Sequence, residues 1–373
     1  MSVRSFFPEP FATLPVRVLL PLALLTCFGA TVLFSAAGGS FWTYSFSHLL
    51  RFVVFLVMAL VISRLPRDVV QLAAYPIYGA ILVLLLGVEA LGAIGGGARR
   101  WLDLGIIRLQ PSELMKPGIV LALATYYHSL APGMITNWRS LIPAGVLIGL
   151  PVGLVILQPD LGTAMAIAFS GVMVIFLAGI PARWIVGSAA AAAVIGPLAF
   201  FLGLHDYQRA RVTVFLSPES DPLGTGYHIT QSQIAIGSGG IFGKGFGNGS
   251  QSHLAYLPEP HTDFVFATMA EEWGLFGGLF VLLIFGIVLR WAWGVARHAP
   301  DRFSRLLAGG MTVTIFFYVA INLLMVMGLA PVVGIPLPFM SHGGTSMMTN
   351  MICIGTLMMI ERWSRRAAPA RVA

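Results

Sequence analysis

The chain has 373 residues, of which 57% are hydrophobic and 10% charged, and its mean hydropathy is +0.85. A soluble domain carries about 25% charged residues, so a water-soluble globule is excluded and one polytopic membrane domain over residues 1–373 is expected. The net charge of +7 is not accompanied by a basic–aromatic stripe, and basic residues at membrane helix ends produce the same excess, so no nucleic-acid partner is expected.

In chain order, ten apolar segments are candidates to cross a bilayer: 17–37, 46–63, 69–92, 112–130, 141–158, 161–180, 184–203, 264–290, 306–329 and 346–361. The first run, Val18–Phe34, exceeds the roughly 7–15-residue core of a cleaved signal peptide and is read as a retained span. Backbone groups in lipid must pair internally, and no segment alternates with the period of a barrel strand, so the fold class is all-α with about ten transmembrane helices. Cys27 and Cys353 lie inside apolar runs and have neither disulfide-framework nor metal-ligand spacing.

With the N-terminus inside, 14 of the 22 Lys and Arg residues fall on one face, among them Arg64, Arg67, Arg302 and Arg365. That bias places both termini in the cytoplasm. The other face keeps Arg51, Arg99, Arg100, Arg108, Lys116, Arg209, Arg211 and Lys244, together with most of the acids. These cations gather in the 93–116 loop, in a large extracytoplasmic loop, 204–262, and at the helix ends beside them. Structureless loops beyond about 12–15 residues are uncommon, so 204–262 is expected to be ordered and functional. A second unusual stretch is Pro331-Val-Val-Gly-Ile-Pro-Leu-Pro-Phe-Met-Ser-His-Gly-Gly-Thr345. Its prolines and glycines predict a re-entrant, non-helical segment before the last helix, tolerable only against protein or a wet cavity.

Four motifs carry candidate chemistry. Arg108-Leu-Gln-Pro-Ser-Glu113-Leu-Met-Lys116 opens a helix at Pro111 and puts Glu113 and Lys116 on one helix face. With Arg99 and Arg100 upstream, its cations suit an anionic headgroup such as a pyrophosphate, or lipid headgroups in general. Gln158-Pro-Asp160-Leu-Gly-Thr163 offers Asp160 either as a helix N-cap or, with other acids nearby, as a divalent-cation ligand. Gly243-Lys244-Gly245 lacks the flanking pattern of a nucleotide-binding P-loop, which leaves Lys244 as a phosphate contact or a solvated surface group. Leu257-Pro-Glu-Pro-His-Thr-Asp263-Phe-Val-Phe-Ala267 stations Asp263 at the outer end of a span, beside the charged loops. Glu271 and Glu272 follow about 12 Å deeper on the same helix.

Together with Arg100-Trp-Leu-Asp-Leu-Gly105, Tyr207-Gln-Arg-Ala-Arg-Val212, Gly224-Thr-Gly-Tyr-His-Ile-Thr-Gln-Ser232 and Gly237-Ser-Gly-Gly-Ile-Phe-Gly-Lys-Gly245, these motifs resemble, in order, the RodA branch of the SEDS family (shape, elongation, division and sporulation). The resemblance runs from the first span to the last. It implies a peptidoglycan glycosyltransferase of the bacterial inner membrane that polymerises lipid II into β-1,4 glycan strands, with inversion, during elongation and shape maintenance. It implies a class B penicillin-binding protein as transpeptidase partner, other elongation-machinery membrane proteins as neighbours, and a divalent cation (Mg or Mn). Asp263 occupies the family's essential acidic position. One departure is Ser341-His342-Gly343-Gly344, where the family has Ser-Tyr-Gly-Gly; an imidazole there could titrate near neutral pH.

The expected division of labour follows. Asp263 is the general base at the extracytoplasmic face; Arg99, Arg100, Arg108, Lys116, Arg209, Arg211 and Lys244 cradle pyrophosphates; Glu113 and Asp160 position basic groups or ligate the metal. Two rival classes are a flippase for lipid-linked precursors, which would want polar groups through the membrane's depth, and a non-catalytic scaffold of the elongation machinery.

Overall fold

Backbone amides that cannot reach water must pair along the helix, and the computed structural model is built of helices laid where the apolar runs fall. It describes residues 15–367 apart from 92, 96–97, 104–107, 136, 182, 185, 188–189, 191–208, 210–212, 215–216, 218–220, 222–223, 255 and 258. Nine of the expected segments coincide with helices: α1 (Val16–Ala36), α2 (Phe46–Ile62), α3 (Arg67–Leu91), α4 (Pro111–Ser129), α5 (Leu141–Leu157), α6 (Leu161–Leu177), then α9 (Val265–Arg297), α10 (Arg302–Val326) and α11 (Gly344–Ala367). The expected span at 184–203 lies largely outside the described residues.

Among the described residues, six helices are long and apolar enough to cross a membrane: Val16–Ala36, Phe41–Ile62, Arg67–Val88, Trp138–Leu157, Val265–Arg297 and Arg302–Val326. Helix α4 falls short of that apolarity for a physical reason. It runs through the bundle centre, buried on nearly every side, so it faces protein rather than lipid and can carry Glu113 and Lys116. Helices α2, α3 and α5 are the opposite case, with only 22% of their apolar stretches buried against 72% for α10.

Three polar contacts mark one end of the bundle. Trp363 Nε1 donates to Leu65 O at 3.1 Å, Arg67 pairs with Asp301 at 3.1 Å, and Arg302 Nη1 donates to Leu130 O at 3.3 Å. The basic helix ends therefore meet there. The acid-bearing motifs, at residues 110–113, 158–163 and 259–263, gather toward the other end with the 331–343 segment.

Three features were not foreseen. A small antiparallel sheet, β1 (Ala93–Gly95), β2 (Ala98–Asp103) and β3 (Arg108–Leu109), folds the first charged loop, so the all-α expectation needs that amendment. The 204–262 segment contains a helix, α7 (Thr225–Gly239), and a short turn of helix, α8 (Ser250–His253). Helix α7 lies against α9 and α10, where Ser232 and Gln233 donate to the carbonyls of Val326 and Met327 at 2.7 and 3.1 Å. Those carbonyls are open because α10 ends there.

The third feature is a break in α9 at Gly274, whose φ of 61° and ψ of −155° interrupt the helix. A broken helix strands backbone groups on both sides of the break. The glycine-rich loop satisfies them: Lys244 N donates to Glu271 O at 2.9 Å and Gly245 N to Glu272 O at 3.0 Å, while Leu275 N and Phe276 N donate to Gly240 O and Ile241 O at 3.0 and 3.4 Å. The loop reaches the break only because Gly243 has φ +79° and no Cβ; a Cβ there would overlap the Glu272 carbonyl oxygen. Gly247 has a similar φ, +75°, but a Cβ on it would meet nothing within 4 Å. Gly247→Ala should therefore cost only about 1 kcal/mol, and Gly243→Ala about 2–4 kcal/mol, read as thermal stability of the purified protein. Equal losses would refute the loop's role as a patch on the broken helix.

Candidate functional site

The described residues of the 257–264 stretch fold as a turn whose apolar ends, Leu257 and Phe264, are both at most 2% exposed. Thr262 N donates to Glu259 O at 3.1 Å, and Thr262 Oγ1 donates to the Glu259 carboxylate at 3.0 Å. The 331–343 segment clamps this turn. Ser341 Oγ donates to Thr262 O at 2.6 Å and accepts from Leu337 N at 2.9 Å, while His342 N donates to His261 O at 2.8 Å. From α10, the Asn322 carboxamide donates to both Asp263 O and Ile335 O, at 2.9 and 2.8 Å. Asp263 is thus fixed through its backbone, half-buried, at the head of α9. Its Oδ2 lies 3.5 Å from where a Cβ on Gly334 would sit.

Asp160 stands on the other flank of the same segment. Gly162, two residues on, packs so closely on Val333 that a Cβ would overlap the Val333 carbonyl oxygen. Val333 and Gly334 therefore separate the Asp160 helix start from the Asp263 carboxylate. Asp160 is 7% exposed and its two oxygens accept from Thr163 N and Gln110 Nε2, both at 3.1 Å. That is the N-cap reading of the motif. Arg100 holds the turn in place, donating Nε to Gln158 O at 3.2 Å and Nη2 to Pro159 O.

Glu113, Lys116 and Tyr318 form a buried triad. Lys116 Nζ donates to Glu113 Oε1 at 2.6 Å and Tyr318 Oη at 2.7 Å, and Tyr318 donates to Glu113 Oε2. The Lys116 side chain is 0% exposed. Its ammonium is an internal ion pair inside the bundle, not a surface contact for a headgroup, and Glu113 spends both oxygens on it and on Tyr318. Each oxygen of Glu113 and Asp160 already accepts a hydrogen bond, and among the described residues no three His, Cys, Asp or Glu side chains converge. These contacts give both acids a structural role.

Lys244 is likewise engaged, with Nζ 2.6 Å from Glu271 Oε1 and 2.8 Å from Ser250 Oγ. Glu271 also accepts from Gln251 N at 3.1 Å. The ion pair fastens the glycine loop to the broken helix. Arg209 lies in the described part of the large loop, where its carbonyl accepts from Thr213 Oγ1 at 3.0 Å. Arg211 falls outside the described residues, as do the side chains of Arg99 and Arg108. Two residues that organise the site, Tyr318 and Asn322, were not singled out from sequence. The available signal was two polar groups four apart in an apolar span, which share one helix face.

His342 lies outside the spanning helices and ties the clamp to α2. Its Nε2 is 3.1 Å from Arg51 Nη1 and 2.8 Å from Ser47 Oγ. An arginine can only donate, so Nε2 carries the lone pair. Tyr44 stacks on His261 at 4.2 Å and lies 5.1 Å from the His342 ring. Burial, then the charges of Arg51, His48 and His261, hold His342 down at about 4 from 6.5. It stays neutral near pH 7, against the expectation of a neutral-pH titration.

The FtsW/RodA/SpoVE model, described as a cell cycle protein, matches residues 13–366. The chain belongs to that family. Relatives of this FtsW/RodA/SpoVE member include "Peptidoglycan glycosyltransferase MrdB" of Escherichia coli K12, 43% identical over 93% of each chain. "Stage V sporulation protein E" of Bacillus subtilis is 38% identical over 76% of each. Among solved structures, a chain from work on "structural coordination of polymerization and crosslinking by a peptidoglycan synthase complex" superposes with TM-score 0.81 at 32% identity, covering 93% of this chain and 97% of that one. The crystal structure of Thermus thermophilus rod shape determining protein RodA superposes with TM-score 0.69 at 29% identity, covering 93% and 96%.

Two outcomes follow from the site. Lys116→Met leaves the Glu113 carboxylate buried without its cation and should cost about 3–5 kcal/mol, of which Glu113→Gln in the same chain restores part, read by a double-mutant cycle of thermal stability. Because the folded protein lowers the His342 value from 6.5 to about 4, the unfolded chain binds the extra proton in that window. The resulting stability is present above pH 6.5 and is lost as pH falls toward 4. His342→Gln should flatten that part of the stability–pH curve; an unchanged curve would refute the assignment.

Proposed function

We propose that this chain is a peptidoglycan glycosyltransferase that polymerises lipid II at the outer face of the cytoplasmic membrane, with both termini cytoplasmic. The observation that carries the reading is the Asp263 carboxylate, half-buried at the head of α9 and held from behind by Asn322, Ser341 and His342. Its relatives' names and the similarity to a chain of a peptidoglycan synthase complex support the same reaction. The basic ends of α9, α10 and α11 lie at the opposite end of the bundle, the side that positive charge marks as cytoplasmic.

In the proposed step, Asp263 accepts the proton of an acceptor sugar 4-hydroxyl as that oxygen bonds to the anomeric carbon of a donor. The bond from that carbon to the phosphate oxygen breaks, and the polyprenyl pyrophosphate leaves with the electron pair. Attack opposite the leaving group inverts an α-linked donor to a β-1,4 product. Of the seven cations expected around the pyrophosphates, Arg99, Arg108, Arg209 and Arg211 keep that proposed role; Arg100, Lys116 and Lys244 support the site by holding the 158–159 turn, Glu113 and Glu271. A divalent cation (Mg or Mn) is proposed as a partner of the pyrophosphate and is given no step through Glu113 or Asp160. The proposed partner is a class B penicillin-binding protein, alongside other elongation-machinery membrane proteins and the nascent glycan.

A flippase would need its deep charges available to a passing headgroup, and Glu113, Lys116 and Glu271 are spent on neighbours. The deciding assay is glycan synthesis from purified lipid II by the purified chain and by Asp263→Asn, with and without EDTA and with melting curves as a check on folding. Loss of about 100-fold or more in rate is expected for Asp263→Asn. Equal yield from both proteins would exclude Asp263 as base, and polymer made equally well in EDTA would exclude the cation.

A further inference from the structure

Arg51 is a cation that no role above explains. It lies near the outer end of α2, one of the eight basic residues that break the inside bias. Among the described residues Lys116 and Lys244 each pair with a carboxylate, whereas Arg51 pairs with none. Its one hydrogen bond is from Nη1 to the lone pair of His342 Nε2, at 3.1 Å. A neutral imidazole does not neutralise a guanidinium. Arg51 is half-buried, and none of its remaining nitrogens is among the described buried atoms left without a partner.

The position of Arg51 relative to the candidate base follows from short links. His342 N is bonded to His261 O at 2.8 Å, two residues before Asp263. The Arg51 Nε lies 3.5 Å from where a Cβ on Gly344 would sit, which places the guanidinium beside the clamp. Ser47 Oγ lies 2.8 Å from the same Nε2 and the Tyr44 ring 5.1 Å from the imidazole, and together they hold the ring that accepts from Arg51. A half-buried arginine, oriented by a neutral acceptor and lacking an acid, is built to receive an anion from outside the protein.

We propose that Arg51 is a substrate-binding residue that takes the pyrophosphate of a polyprenyl-linked sugar, with His342 as the positioning residue that aims it. The inference rests on the glycosyltransferase reading and adds a binding group from α2 to cations placed there from the 93–116 and 204–262 loops. The Arg51 fork donates to two phosphate oxygens while Asp263, across the 341–343 turn, faces the acceptor hydroxyl. His342 serves by accepting from Nη1, so a side chain of similar size with an acceptor keeps part of the effect and an apolar one does not.

The test uses the full-length chain in vesicles of zwitterionic lipid, and again with anionic lipid added, following glycan synthesis at varied lipid II concentration. Polyprenyl pyrophosphate and polyprenyl monophosphate of equal chain length serve as competitors. For Arg51→Gln, the lipid II concentration at half-maximal rate should rise about tenfold or more, and the preference for the pyrophosphate competitor should shrink. Arg51→Lys keeps charge but loses the fork and should lie between the two, which keeps the test usable if Arg51→Gln folds poorly. Unchanged half-saturation in both variants, an equal loss toward both competitors, or a defect confined to anionic vesicles (a bulk headgroup site) would each overturn the proposal. Wild-type protein that makes no polymer would bring down the glycosyltransferase reading instead, and the two failures are distinct.

Discussion

The Asn322 carboxamide bridges the carbonyls of Asp263 and Ile335, and the end of the bundle that carries the acid-bearing motifs is arranged around that bridge. Two chain segments with no regular structure, 259–264 and 331–343, meet there. Each brings backbone groups that must find partners or cost about 1–3 kcal/mol apiece. Asn322 serves one carbonyl of each, while Ser341 and His342 complete the join. Four residues earlier on the same face of α10, Tyr318 closes the Glu113–Lys116 pair. One helix face, about 6 Å from one group to the other, thus couples the buried ion pair to the backbone of the candidate base.

The same accounting explains the break in α9. The N-terminal half of that helix has Asp263 at its head and Glu271 and Glu272 near the break, the two glutamates at most 1% exposed. A straight helix would need no help inside the bundle. A broken one needs an outside backbone, and the 240–245 loop supplies it because its glycines allow the approach. Lys244 then neutralises Glu271 at 2.6 Å, so the polar content of that loop is used in holding the helix.

The cations that break the charge bias divide by what they touch. Arg100 is committed to carbonyls of a turn, Lys116 and Lys244 to carboxylates, and Arg51 to a neutral imidazole. Their residue types are equivalent in sequence. Whether a cation can serve an incoming anion depends on whether an acid already occupies it, and that is a property of the packed bundle. His342 bears on the same point, since its neutral imidazole accepts from Arg51 without cancelling the charge.

By itself the sequence determined the membrane class, nine of the helix positions to within a few residues, the non-helical 331–343 segment, the family, and Asp263 as the acid at the head of its span. These follow from local chemistry: apolar length, the positions of prolines and glycines, and charge counted along the chain. Only the tertiary structure decided that Asp160 is an N-cap, that Lys116 and Lys244 are paired internally, that α7 lies inside the long loop, that Tyr318 and Asn322 meet the candidate-site motifs, and that Arg51 bonds to His342. Most of those depend on partners tens to hundreds of residues away, and a hydrogen bond or ion pair between distant segments leaves no periodic trace in either one.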